Sequence, residues 1–281
     1  MLVWPAPAKI NLFLNITARR ADGYHELQTL FQLLDWGDSL SFELVDEPAV
    51  TQARPIPGVV PASDLCVRAA ILLRQATEYS GGVRIHLDKR IPLGAGLGGG
   101  SSDAATTLVA LNWLWKTHLS KGELCELARQ VGADVPVFVG GESAWAEGVG
   151  EILTPLSLPA RWYLVLYPQV KVSTAEIFNA SELTRSAKPI RITDFLAGQG
   201  VNLCEPVVVA RYPEVGRALT WLRAQGDAFL TGTGSSLFVG FSERAAAEAL
   251  ASEVPRPWQA IVARGVNRSP LQTVLERLRA T

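Results

Sequence analysis

Residues 91–106 read IPLGAGLGGGSSDAAT: five glycines crowd into positions 94–100, and small helix-forming residues follow at once. Glycine loses more freedom on folding than any other residue, so such density implies backbone that must turn left-handed or pass close to something. Upstream, GVRIHLDKRIP (82–92) alternates as a strand does. Downstream, Ala104, Leu108, Leu111 and Trp115 form one helical stripe. A strand, a glycine loop and a helix start in succession are the physical minimum for gripping phosphate. Amides freed by glycine converge where the helix dipole favours an anion, and Ser101 and Ser102 add hydroxyls that can donate hydrogen bonds or ligate Mg2+.

Commoner glycine-rich signatures fit poorly. Gly94 to Gly99 satisfies G-x-G-x-x-G, but a dinucleotide fold needs a second strand ending in an acidic residue about 20 positions further on. That distance falls in SKGELCEL (120–127), which opens with the capping-box form of a helix start. The triphosphate loop ending in Gly-Lys-Ser/Thr is excluded because Ser101 follows Gly100 directly. A protein-kinase loop lies within a hairpin rather than at a helix start.

Elsewhere, polar residues interrupt apolar stretches. In PAKINLFLNI (7–16), Ile10, Leu12, Leu14 and Ile16 are expected on one strand face, with Lys9, Asn11, Phe13 and Asn15 on the other. Pattern alone leaves Lys9 evenly balanced between a solvated and a functional side chain. Asp134, in VGADVPVFVGG (131–141), is expected between a helix end and an apolar strand, where a carboxylate needs a partner. A lysine would serve, although linear sequence does not say which.

HELQTLFQLLDWGDSLSFEL (25–44) reads as two strands around a Trp-Gly-Asp turn, and SDLCVRAAILLRQAT (63–77) as a helix capped by Ser63 or Asp64. LTGTGSS (230–236) is either a hairpin turn or a second set of donors across a cleft. After Pro155 the pattern restarts as strand, helix, strand, strand, helix, strand, with one long helical region over roughly 202–225. The expectation is an α+β protein with domains 1–154 and 155–281 sharing a cleft.

Composition narrows the partners. With a net charge of −1 and no basic cluster, nucleic acid is not expected to bind. No uncharged apolar run reaches about 18 residues, so no membrane span is expected. The N-terminus lacks the layout of a signal peptide, which points to the cytoplasm. Cys66, Cys125 and Cys204 are scattered and read as buried, reduced thiols. With only His25, His86 and His118 beside them, no protein-held metal cluster is expected.

Four segments then occur in a telling order: PAPAKINLFLNITARRADGYHELQTLFQLLDWGD (5–38), IPLGAGLGGGSSDAATTLVALN (91–112), GADVPVFV with AWAEGVGEIL (132–153), and LTGTGSSLFVGF (230–241). Together they resemble the GHMP kinases over nearly the whole chain. The resemblance implies a ribosomal-S5-like N-terminal domain and a ferredoxin-like C-terminal one. It implies ATP as co-substrate, accompanied by Mg2+, with the phosphates lying along Pro92, Leu93, Gly94, Ala95, Gly96, Leu97, Gly98, Gly99, Gly100, Ser101 and Ser102. Lys9 and Asp134 match the family's catalytic lysine and aspartate, Asp134 as base.

Asn11, Tyr24, His25, Thr174 and Phe178 fall where one branch of the family holds a small substrate carrying a cytidine diphosphate group, with His25 and Phe178 sandwiching cytosine. Asp64 stands where asparagine is usual near the adenine. The implied reaction phosphorylates the 2-hydroxyl of a cytidyl-linked methylerythritol, a step of isoprenoid precursor synthesis outside the mevalonate route. A monomer or weak dimer is expected.

Overall fold

The computed structural model describes residues 1–280. The first alternating segment forms β1 (Trp4–Arg19), antiparallel to β2 (His25–Val45). β2 runs unbroken for 21 residues through Trp36-Gly37-Asp38, where a turn was expected. A Cβ at Gly37 would lie 2.1 Å from the Ala6 carbonyl oxygen, and β1 shifts register between Pro7 and Lys9. Glycine therefore marks a close crossing of two strands and not a chain reversal. The expected alternation in β1 also fails, because a second register shift between Asn11 and Leu14 helps bury Phe13 alongside Ile10, Leu14 and Ile16.

The short strand β3 (Val50–Gln52) leads to α1 (Leu65–Ala76). Its cap is Asp64, whose Oδ1 accepts hydrogen bonds from the amides of Cys66 and Val67 at 2.8 and 3.2 Å. β4 (Gly82–Asp88) joins β2, and α2 (Gly99–Leu114) and α3 (Lys121–Val131) follow. VPVFVG then forms α4 (Val135–Gly140), not a strand. Pro136 in the first turn costs no hydrogen bond, and Gly141, at φ +70°, closes the helix. β5 (Ala144–Glu147) and β6 (Ile152–Pro155) form a hairpin attached to β2.

The second half comprises β7 (Trp162–Tyr167), α5 (Thr174–Asn179), α6 (Ile192–Leu196), α7 (Glu205–Arg211), α8 (Pro213–Arg223), β8 (Ala228–Leu230), β9 (Leu237–Phe241), α9 (Arg244–Glu253), β10 (Gln259–Val266) and α10 (Pro270–Ala280). The long helix expected over 202–225 is two helices, because Pro213 offers no amide hydrogen to continue α7. The strand order β10-β7-β9-β8 is antiparallel throughout, the ferredoxin-like arrangement of strand, helix, strand, strand, helix, strand. Gly265 and Val266 of β10 pair with Leu34 and Leu33 of β2, so one sheet runs through both halves.

Four apolar clusters fill this frame, the smallest of them around Phe13, Leu30 and Trp145. One packs α1–α4 and α10 against β1, β2 and β4; another packs the helices of the second half against β7–β9. A third, smaller one lies between them and includes Ile91, Ala95 and Leu97, so the glycine loop is anchored from beneath by its non-glycine residues. Cys66 and Cys204 are buried and unpaired, and burial pushes the Cys204 thiol up to about 12; Cys125 is only half-buried.

Candidate active site

Between the halves lies a cleft of about 820 Å3 whose middle is the glycine loop. Gly94, Gly96 and Gly98 hold φ of +67°, +77° and +71°, in the left-handed region that side chains resist. At Gly96 a Cβ would also meet the Thr231 carbonyl oxygen at 2.5 Å. Loop carbonyls are tied down by Lys9 N to Leu97 O (3.0 Å) and Ser236 N to Ala95 O (3.0 Å). The loop runs into α2, whose N-cap, Gly98, carries no capping side chain, and no acidic residue stands in its first turn. The opening amides of α2 are thus left for an external acceptor at the positive end of the helix.

Facing the loop is Lys9. Its Nζ lies 2.5 Å from Asn11 Oδ1, 3.1 Å from the Gly96 carbonyl and 3.4 Å from Asp134 Oδ2. The ammonium is buried and also sits 5.4 Å from the centre of the Phe31 ring. The Asp134 side chain, on the turn before α4, keeps 34% of its surface open to the cleft. Asn11 Nδ2 donates to Thr29 Oγ1 at 2.9 Å, and the Asn11 amide donates to Thr231 Oγ1 at 2.8 Å. A cation, a carboxylate and a row of amides therefore face one enclosed volume.

At the far end of the cleft stand Tyr24, His25 and Phe178. Tyr24 is exposed, whereas His25 is buried and accepts a hydrogen bond at Nε2 from Arg185 Nε at 3.1 Å. That bond requires the lone pair of a neutral imidazole at Nε2. Burial lowers the His25 pKa, and the charges of Arg185 and Arg19 lower it further.

Residues 64–142 match the family described as GHMP kinases N terminal domain, and residues 183–260 match GHMP kinases C terminal. A Nitrosococcus oceani protein named 4-diphosphocytidyl-2-C-methyl-D-erythritol kinase is 54% identical over 277 residues, 99% of each chain. The chain belongs to the GHMP kinase family. A Halorhodospira halophila protein of the same name is 55% identical, with 97% of this chain and 96% of that one covered. A crystal structure of 4-(cytidine 5'-diphospho)-2C-methyl-D-erythritol kinase superposes with a TM-score of 0.82 at 35% identity, over 94% of this chain and 100% of that one. This GHMP kinase is accordingly a small-molecule kinase.

In this GHMP kinase the cleft collects Lys9, Asn11, Tyr24, His25, Asp134, Thr174, Phe178 and loop residues Pro92 to Ser101. Ser102 is the exception. It is fully buried behind the loop, and its hydroxyl has no hydrogen-bond partner. Asp64 likewise stays out of the cleft, spent on capping α1 and on a hydrogen bond from Gln52 at 3.1 Å.

Here the rings of His25 and Phe178 close the gap in which a base was expected. Their rings stack on each other, 5.1 Å apart and inclined by 22°. A base between them needs about 7 Å between the flanking planes, twice the contact distance of aromatic carbons. Thr174 Oγ1 is 2.9 Å from Thr233 Oγ1, so the LTGTGSS segment does reach the cleft, through Gly232 and Thr233.

Sequence reasoning missed two groups. Arg185, which fixes His25, lies in a polar stretch with no periodic signal. Lys89, at the exit of β4, bridges Asp38 Oδ2 at 2.5 Å and Asp103 Oδ2 at 2.6 Å while lining the cleft. Asp38 Oδ1 also accepts from the amides of Arg90 and Ile91, which fixes the first leg of the glycine loop. Burial raises the Asp103 carboxyl well above its usual range, with Asp38 adding to the effect and Lys89 opposing it. For Lys89, burial works against the charge, but the two carboxylates outweigh it and hold the ammonium above its ordinary value. A lysine just before the glycine loop and Asp103 in the helix after it were the signal available, whereas Asp38 lies far upstream in β2.

Proposed function

We propose that the chain transfers the γ-phosphoryl group of ATP to the 2-hydroxyl of 4-diphosphocytidyl-2-C-methyl-D-erythritol, in the non-mevalonate route to isoprenoid precursors. The observation that carries this reading is the uncapped start of α2 facing Lys9 and Asp134 across one cleft, with an aromatic cluster at its far end. The names of the relatives, similar along their whole length, supply the acceptor.

In this reading the amides of Gly99, Gly100 and Ser101 hold the nucleotide phosphates. The acceptor oxygen attacks the γ-phosphorus, the bond to the β,γ-bridging oxygen breaks, and ADP leaves with that electron pair. Asp134 takes the hydroxyl proton. Lys9 orients Asp134 and stabilises charge on the transferring group, itself held in place by Asn11 and Gly96. Phosphoryl transfer passes through a loose transition state, so positioning outweighs base strength. Asn11 retains one amide hydrogen beyond the Thr29 bond, and this faces the acceptor along with Thr174.

The pyrimidine packs on the cluster of Tyr24, His25 and Phe178. No group of three His, Cys, Asp or Glu among the described residues could hold a metal ion. Mg2+ would accompany the nucleotide, ligated mainly by phosphate oxygens, with the half-buried Ser101 hydroxyl among the protein donors that line the cleft. When bound, it offsets phosphate charge.

A transfer assay offering ATP with the cytidyl-linked methylerythritol, mevalonate, homoserine and galactose tests the proposal. Turnover is expected with the cytidyl compound alone. Comparable turnover of a non-nucleotide alcohol overturns the assignment.

A further inference from the structure

A second cavity, of about 490 Å3, opens where α2, α3, α4 and α10 converge. It shares no residue with the nucleotide cleft. Since α2 is about 24 Å long at 1.5 Å per residue, the two sites lie toward opposite ends of one helix. Val109, Leu124, Val139 and Leu275 make an apolar floor. Lys116, His118, Lys121 and Arg279 stand around it, and no carboxylate among the described residues lines it. Lys121 shares its charge with Glu142 at 3.4 Å, while Lys116 and Arg279 have no carboxylate partner among the described residues.

The backbone gives Lys116 special weight. α2 ends in a paired closure, with Lys116 N donating to Trp113 O and Thr117 N to Asn112 O, both at 3.2 Å. The residue at that position must turn left-handed, and it is usually glycine. Here it is a lysine at φ +54°, followed two residues later by His118 at φ +58°. Asn112 holds the turn rigid, accepting from Leu119 N at 2.9 Å and donating to Leu119 O at 3.0 Å. The chain thus tolerates an unfavourable backbone conformation where a cheaper residue would serve, and the result is an unpaired cation on the cavity rim.

We propose that this cavity is a binding site for a small amphiphilic anion, an apolar body bearing a phosphate or carboxylate head. The floor removes hydrocarbon from water, the rim meets the head with Lys116 and Arg279, which have no carboxylate partner among the described residues, and the volume lies in the range of small-molecule sites. Both head groups present the same chemistry to the rim.

Calorimetric titration of the full chain with octyl phosphate, octanoate, octanol and inorganic phosphate, with and without saturating ATP, tests the site. Octyl phosphate is expected to bind once per chain without displacement by ATP, and at least about tenfold more tightly than octanol or inorganic phosphate. Octanoate binding as tightly identifies a general anion site; weaker octanoate binding identifies a phosphate-selective one. Arg279→Glu and Lys116→Gly are each expected to weaken octyl phosphate about tenfold. Lys116→Gly is expected at the same time to raise the melting temperature, since glycine takes the left-handed angle freely, so its weaker binding is not a loss of fold. Failure of octyl phosphate to bind, its displacement by ATP, or affinity unchanged in both rim variants overturns the proposal.

Discussion

Three oxygens surround the Lys9 ammonium, one for each of its protons, and only one of them belongs to Asp134. The lysine is therefore fixed by the scaffold rather than by the carboxylate it faces. Asp134→Asn removes the proposed proton acceptor and leaves the other two oxygens in place. It is expected to lower kcat by roughly 10²- to 10⁴-fold while leaving the Kd for ATP unchanged, measured by steady-state kinetics and nucleotide titration.

His25 supplies a pH signature. Its native pKa lies below the ordinary 6.5, so its contribution to stability is present above 6.5 and is lost as the pH falls through the native value. Protonation also takes away the lone pair that Arg185 uses. The acceptor KM is expected to stay flat above pH 7 and to rise on acidification below about pH 6.5. A KM that does not change with acidification over the whole range in which the chain stays folded counts against His25 at the acceptor. At this scale the sequence was partly legible. Lys9 and Asp134 stood out as polar residues in apolar runs, but their pairing spans more than a hundred residues and is visible only after folding. Arg185 gave no signal at all.

Among the elements, α2 was legible because composition and pattern agreed: glycines before it, and the apolar stripe of Ala104, Leu108, Leu111 and Trp115 along it. Two others were misread for identifiable reasons. Valine-rich VPVFVG suggests a strand by propensity, yet proline in its first turn and packing against the first core make it helical. Trp-Gly-Asp suggests a turn, yet Gly37 is required by the proximity of β1. Asp38, beside it, belongs to the buried bridge that joins β2, the glycine loop and α2 through Lys89. Lys89→Met would strand two carboxylates in the interior. Urea denaturation is expected to show a loss of about 3–5 kcal/mol, the usual cost of breaking a buried ion pair from one side. A change within 1 kcal/mol would mean that the bridge is mainly a means of placing the loop.

For the molecule as a whole, we propose the division into 1–154 and 155–281 as the two domains, with exchanged ends. Leu14 and Ile16 of β1 sit in the second core, while Leu271 and Leu275 of α10 return to the first. Leu271→Ala, fully buried, is expected to cost about 2–5 kcal/mol and to speed amide exchange in α2 more than in α8, although it lies in the C-terminal segment. Such exchanges leave no local trace in a sequence, because an apolar stripe does not announce which core receives it. The succession of strand, helix, strand, strand, helix, strand in the second half was legible, but the order β10-β7-β9-β8 was not, because only β8 and β9 are neighbours in both chain and sheet.

The rungs between β2 and β10 have one last consequence. They act as a splint across the seam and oppose any swinging apart of the two halves like jaws. Room for a base must come from the periphery, where Phe178 rides on the six-residue α5 against His25. The glycine loop, by contrast, is anchored to the splinted centre, so a nucleotide held there as proposed need not wait for that peripheral door.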